Sequence, residues 1–229
     1  MKAPGELLAS GRDADIFEFG PGQVLRRSRN GRSMLAEAQT MEFVRSHGYP
    51  APEIFEVSED GCDLVMERIE GPTMVDAGAA RPWNLPRLGR QLAELHRSLH
   101  HLPAPEWFRA APCGSGDRLL HMDLHPLNVL VARRGPMVID WTNAARGDPA
   151  IDVAVTWVLI ASGEIPAARA KAALLRVGRK LLLDAFLRPI TDDALDENLA
   201  AVVDWKCTDS NMSSKEIERM RSMVTRAID

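Results

Sequence analysis

The sequence predicts an α+β chain in two parts, a small antiparallel sheet with one helix over residues 1–69 and a mainly helical part over residues 70–229. Three observations carry that reading. Early segments alternate apolar and polar residues with the period of a strand, and Gly/Pro turns join them. Past Glu70-Gly71-Pro72 the apolar residues recur at steps of three and four, the period of a helix. A hydrophobic content of 45% in 229 residues supplies enough apolar surface for two small lobes.

The elements follow in order. Asp15-Ile16-Phe17-Glu18-Phe19, the turn Gly20-Pro21-Gly22 and Gln23-Val24-Leu25-Arg26-Arg27 predict a hairpin. Ser33 to Ser46 predicts a helix with Ser33 as N-cap and Leu35, Ala38, Met41 and Val44 on its apolar face. His47-Gly48-Tyr49-Pro50 ends it. Ile54–Val57 and Asp63–Glu67 are strand candidates, and Glu70-Gly71-Pro72 marks the boundary between the parts. Leu85, Leu88, Leu92, Leu95 and Leu99 line one face of a long helix. Val129-Leu130-Val131 and Met137-Val138-Ile139 turn about Arg134-Gly135-Pro136 as a second hairpin. Helices resume at Pro149, where Ile151 to Ala161 is apolar nearly all round, as in a buried helix. Pro166 suits the first turn of the next helix, which runs to about Leu187. Ser213-Ser214-Lys215-Glu216 has the pattern of a capping box opening the last helix.

Composition narrows the function classes. A net charge of −4 gives no electrostatic support to a nucleic-acid role, and most of the short run Arg26, Arg27, Arg29 and Arg32 reads as a solvated strand end and helix approach. Three widely spaced cysteines suggest neither a disulfide framework nor a zinc knuckle. No signal-peptide pattern opens the chain, and its most apolar stretch is too short to span a bilayer, so a cytoplasmic protein without a membrane role is expected.

The chemistry is concentrated in His121-Met122-Asp123-Leu124-His125-Pro126-Leu127-Asn128 and in Val138-Ile139-Asp140-Trp141. Phosphoryl transfer needs a carboxylate to accept or orient a hydroxyl proton. It also needs a carboxamide and a second carboxylate to hold the magnesium ions that bridge the phosphates. The step from Asp123 to Asn128 has kinase catalytic-loop spacing, and Asp140 follows the hairpin where a metal-binding carboxylate belongs.

These strings resemble the aminoglycoside phosphotransferase and choline-kinase-like family, whose catalytic loop commonly reads His-Gly-Asp-Leu-His-Pro-Gly-Asn. The resemblance runs from about Gly11 to the C-terminus and implies a bilobal protein-kinase-like fold. It implies a small-molecule phosphotransferase that uses Mg2+ and ATP, or GTP, and a hydroxyl-bearing acceptor. Asp123 would be the catalytic base, His121 a brace for its loop, and Asn128 and Asp140 the magnesium ligands. Asp152 would cap a helix and support the loop. Arg26 would be the phosphate-gripping cation paired with Glu37, and backbone groups from Glu67 to Ile69 would meet the adenine. His125 is assigned a turn-forming role, since a proline follows it.

The sequence departs from the family pattern in three places. Arg26 replaces the usual lysine, Gly11-Arg12-Asp13-Ala14-Asp15 has one glycine where a glycine-rich loop is expected, and Asp140 precedes Trp141-Thr142 instead of Phe-Gly. Met122 and the short span from Asp140 to Gly147 argue against a regulated protein kinase. The acidic residues Asp192, Asp193, Asp196, Glu197, Asp204 and Asp209 either attract a cationic acceptor or serve a helix start capped by Thr191 and face water. Trp157, Trp205 and Met212 read as core. Two other readings compete. One is a metal-dependent hydrolase with His121, Asp123 and His125 as ligands; the other is a catalytically silent nucleotide-binding module.

Overall fold

The computed structural model describes residues 3–11, 13–163, 169–190, 194–209 and 212–228. The strands in chain order are β1 (Leu7–Ser10), β2 (Ala14–Gly20), β3 (Gln23–Ser28), β4 (Ile54–Val57), β5 (Asp63–Glu67), β6 (Arg118–Leu120), β7 (Val129–Ala132), β8 (Gly135–Val138) and β9 (Ala145–Gly147). The helices are α1 (Leu35–Ser46), α2 (Met74–Ala80), α3 (Leu85–His100), α4 (Pro149–Ser162), α5 (Arg169–Leu187), α6 (Ala194–Lys206) and α7 (Ser214–Ile228). None of the described helices is long and apolar enough to cross a membrane.

The chain forms two compact units, Met1–Pro72 with Val129–Thr142, and Thr73–Asn128 with Asn143–Asp229. In the first, a five-stranded sheet has the order β1-β2-β3-β5-β4 with every pair antiparallel. Leu25, Leu64 and Val65 are buried on its inner strands, and Arg26 sits between Ile16 and Leu64 in register. The β7–β8 hairpin is tied to this unit by Val131 N–H to Pro72 O and Val138 N–H to Pro50 O, both 2.8 Å. Reading the sequence in two consecutive parts had grouped this hairpin with residues 70–229. Gly71 has φ 157° and a Cβ there would lie 2.4 Å from Val131 O, so only glycine lets these backbones meet.

Helix α1 begins later than its pattern suggested. Its N-cap is Met34, not Ser33, and the cap makes no side-chain hydrogen bond. Met34 takes the buried end of the stripe that continues through Ala38, Met41 and Val44, which leaves Leu35 52% exposed. Strand β1, the short pair β6–β9 and helix α2 carry too few residues to show a period and were not anticipated. Helix α2 does carry a local signal, since Thr73 Oγ1 accepts the Asp76 N–H at 3.1 Å.

In the second unit Leu120, Met122, Ile151, Val155, Leu199 and Val202 are part of the core. Trp157, Trp205 and Met212 pack against it, as expected of them. Helices α3 and α5 approach closely at Gly89, where a Cβ would lie 2.3 Å from Leu182 O. The capping box is present in both directions, Ser213 N–H to Glu216 Oε2 at 3.0 Å and Glu216 N–H to Ser213 Oγ at 3.2 Å. Arg12, Pro166, Thr191, Asp192, Asp193 and the side chain of Asp196 lie outside the described residues.

Candidate active site

The first unit gathers Arg26 from β3, Glu37 from α1, and Asp140 and Thr142 from the segment after β8. Arg26 Nη1 pairs with Glu37 Oε1, while Nη2 donates to Asp140 Oδ1 at 3.2 Å and to Thr142 Oγ1 at 3.5 Å. Glu37 also accepts Trp141 N–H at 3.2 Å, and its Oε2 lies 3.0 Å from Thr142 Oγ1. Burial works against the Arg26 charge, yet Glu37 and Asp140 hold the guanidinium above its ordinary pKa. Burial pushes the Glu37 carboxyl up, and the pull of Arg26 and Thr142 only partly offsets it. Asp140 has a left-handed backbone, φ 65°, and a 43% exposed side chain, so its carboxylate is both fixed and accessible. Trp141 explains the departure from Phe-Gly. It is buried, donates Nε1–H to Val138 O at 3.1 Å and meets the edge of Tyr49 at 5.5 Å, which locks the segment carrying Asp140.

Other expected nucleotide contacts are partly committed within the sheet. Glu67 Oε2 accepts from Arg134 Nη2 at 2.7 Å, and although burial opposes its charge, that bond holds the carboxyl below its usual range. The Glu67 and Arg68 amides donate to Glu53 O and Gly22 O, leaving the half-buried Ile69 at the strand exit. In the single-glycine segment Asp15 is engaged by Ser10 Oγ and by Arg29 at 3.8 Å. Its charge is therefore partly compensated locally.

The second unit holds the loop from His121 to Asn128. Asp152, in the first turn of α4, is fully buried and accepts His121 N–H at 3.1 Å, Met122 N–H at 2.7 Å and a hydrogen bond from His100 Nε2 at 3.0 Å. These bonds hold Met122 at φ 65° with its side chain in the core. Asp152 supports the loop as expected but does not cap the helix. The cap is Asp148, in an extended conformation before Pro149, which accepts Ala150 N–H at 2.9 Å. His121 is held to Asp152 through its backbone amide, and the residue itself is fully buried.

Asn128 Nδ2 donates to Asp123 O at 2.9 Å and to Asp123 Oδ2 at 3.3 Å. Both partners are acceptors, so the amide orientation is determined and Asn128 Oδ1 points away from Asp123. A carboxamide oxygen here and the Asp140 carboxylate are hard oxygen donors of the kind magnesium takes. His125 accepts Leu127 N–H at Nδ1, 3.3 Å, in keeping with its turn-forming assignment. Among the described residues no group of three or more His, Cys, Asp and Glu side chains is placed to hold a metal, so the His121/Asp123/His125 hydrolase centre is not assembled.

Four contributors to this unit were not read from the sequence. His96 and His100 stand one turn apart on α3, a spacing that does put them on one face. His96 Nε2 lies 2.9 Å from Thr156 Oγ1, which donates to Leu124 O at 2.8 Å and so holds the loop from below. Lys206 is buried at the end of α6, its Nζ 3.8 Å from Asp123 Oδ1 and 3.2 Å from Asp209 Oδ2. Asp209 is thus paired, which reduces its use as bait for a cationic acceptor.

The electrostatics of this cluster predict an acid transition. Burial pushes His96 down to about 4, with Asp152 opposing and His100 and His121 reinforcing the shift. The folded chain therefore keeps neutral a ring that the unfolded chain protonates near pH 6.5. Its stabilising contribution is full above pH 6.5 and is lost as the pH falls toward 4, by roughly 3 kcal/mol. Burial also opposes the Asp152 charge, but His100 and the neighbouring histidines hold that carboxyl well below the usual carboxylate range. Its own loss therefore comes only at lower pH. Urea unfolding between pH 4 and 7 should show the first loss in the wild type and a flatter profile in His96→Gln.

Comparison with known proteins follows the same lines. The family model described as phosphotransferase enzyme family matches residues 5–118 and 106–183. No curated protein matches the sequence. Among solved structures, a choline/ethanolamine kinase family protein from Mesorhizobium loti is 16% identical, with a TM-score of 0.62 over 99% of this chain and 88% of that one. The aminoglycoside phosphotransferase APH(4)-Ia is 19% identical, with a TM-score of 0.58 over 97% of this chain and 93% of that one. The amicoumacin kinase hAmiN, solved with AMP-PNP, Ca2+ and Ami, is 15% identical, with a TM-score of 0.56 over 97% and 86%. The fold is accordingly the α+β, protein-kinase-like one.

Proposed function

The chain belongs to the phosphotransferase enzyme family, and from that premise we propose that it transfers the γ-phosphate of ATP or GTP to a hydroxyl of a small acceptor. The observation that carries the reading is the Asn128 clamp on Asp123, in a loop suspended from the buried Asp152. A carboxylate so fixed is suited to accept the acceptor's hydroxyl proton as the oxygen attacks. Asn128 Oδ1 and the Asp140 carboxylate would hold magnesium, which neutralises phosphate oxygens when bound. Arg26, kept charged by Glu37 and Asp140, would grip the α- and β-phosphates. The backbone at Glu67 and Ile69 would meet the base. Residues 1–69 would thus serve the nucleotide, and residues 70–229 would supply the catalytic loop, the metal ligands and the helical region for the acceptor. The hAmiN complex holds AMP-PNP, Ca2+ and Ami together, and a nucleotide, a divalent cation and a small molecule are the kinds of ligand proposed here.

Thermal unfolding tests the nucleotide half of this proposal. Magnesium–ATP or magnesium–GTP at a hundred times its Kd should stabilise the protein by about 2.7 kcal/mol, roughly 5–10 °C at this size. Asp140→Asn should lose most of that shift at limiting magnesium. An unchanged shift in the variant would remove Asp140 from the metal site, and the absence of any nucleotide shift in the wild type would count against the whole reading.

A further inference from the structure

Lys206 is the unexplained charge of the second unit. Lysine is almost never fully buried unless paired, yet this side chain is 4% exposed at the end of α6. Its ammonium lies over the Trp205 ring, 5.3 Å from the centroid, 3.2 Å from Asp209 Oδ2 and 3.8 Å from Asp123 Oδ1. We infer that Lys206 is a positioning residue for Asp123, holding the Oδ1 side of the carboxylate in place while leaving that oxygen able to take the acceptor's proton.

The distances carry the argument. Asn128 reaches the other oxygen, Oδ2, and the Asp123 carbonyl, so it fixes the backbone and one edge of the carboxylate. On the Oδ1 side lie His125 Nε2 at 3.7 Å and Lys206 Nζ at 3.8 Å. A separation of 3.8 Å is too long for a hydrogen bond, so Lys206 acts on Oδ1 as a point charge and does not occupy its lone pairs. Asp209 accounts for the gap. It takes the ammonium at hydrogen-bonding distance, three residues further along the chain, and holds it short of Asp123. A bare ammonium at 2.8 Å would compete with an acceptor hydroxyl for the same oxygen; one held back by a second carboxylate orients without competing.

The inference rests on Asp123 being the base, and the experiment separates the two. Lys206→Gln, which keeps a hydrogen-bond donor but not the charge, Lys206→Arg and Asp123→Asn are compared with the wild type. Formation of nucleoside diphosphate and inorganic phosphate from magnesium–ATP and magnesium–GTP is followed with water as acceptor, after thermal unfolding has shown which variants fold. Lys206→Gln is expected to lower kcat by ~10–100-fold, a part of the range open to general-base catalysis, with nucleotide KM changed less than about threefold. Lys206→Arg should recover at least about tenfold of that loss. Lys206→Gln turning over within about twofold of wild type beside an inactive Asp123→Asn overturns the inference, as does a raised nucleotide KM at unchanged kcat. If Lys206→Gln does not fold, Lys206→Arg decides, folded and active in support or folded and inactive against. Wild-type turnover in Asp123→Asn instead removes the base itself, and with it the ground for a positioning residue.

Discussion

Asp123→Ala is expected to turn over magnesium–nucleotide and acceptor ~10²–10⁴-fold more slowly than the wild type while binding nucleotide nearly as well. The loss follows from where the carboxylate stands. Asp123 is clamped by Asn128 on one oxygen and flanked by Lys206 and His125 on the other. The bonds that suspend the loop, from the His121 and Met122 amides to Asp152 and from Thr156 Oγ1 to Leu124 O, do not involve its side chain. Truncation should therefore spare the fold. Nucleotide binding is assigned to other residues, so the nucleotide-dependent thermal shift should persist as turnover falls. A variant with wild-type turnover would remove Asp123 from the mechanism.

The largest stability effect is expected at Asp152. Asp152→Ala should destabilise the protein by about 3–5 kcal/mol, a large share of the roughly 5–15 kcal/mol that holds a domain folded. The carboxylate has no solvent exposure and accepts from two backbone amides and from His100. Removing it strands the amides of His121 and Met122 inside the core, each at a cost of about 1–3 kcal/mol. Met122 then loses what holds it in a left-handed conformation unusual for a side chain of its size. Asp123 follows it in sequence, so activity should fall even where the chain remains folded. Asp152→Asn keeps one acceptor oxygen and should fall between wild type and alanine. Hydrogen exchange provides a local readout, because the His121 and Met122 amides should lose protection in either variant. Protection unchanged in Asp152→Ala would mean that the loop is held by something else.

What the sequence disclosed and what it withheld divide along physical lines. The β2–β3 hairpin, the end of α1 at Gly48 and the capping box at Ser213 were legible because glycine, proline and capping residues act through the backbone next to them. The pairing of Arg26 with Glu37 was legible because a strand cation and a following helix carboxylate form a recurring pair. Asp148 and Asp152 are both acidic and both near a helix start, and only backbone conformation tells the cap from the residue a turn further on. Leu35 was misplaced because Met34 and Leu35, four and three residues before Ala38, both fit the helical spacing although they point about 100° apart, and it is Met34 that is buried. Lys206 was invisible for a different reason. A lysine in the last turn of a helix ordinarily faces solvent and complements the helix dipole, and nothing local announces that this one is buried beside Asp123. Its place depends on a contact between segments far apart in sequence, which residue spacing does not encode.

Phosphate transfer itself is tested most directly by 31P NMR of the wild-type protein with magnesium–ATP or magnesium–GTP and a panel of aminoglycosides, amino alcohols, choline-like alcohols and sugars. The expected result is nucleoside diphosphate together with a new phosphomonoester resonance for one acceptor class, absent with Asp123→Ala. Nucleotide that binds but yields neither diphosphate nor phosphomonoester across the whole panel would contradict transfer and leave a nucleotide-binding module without turnover.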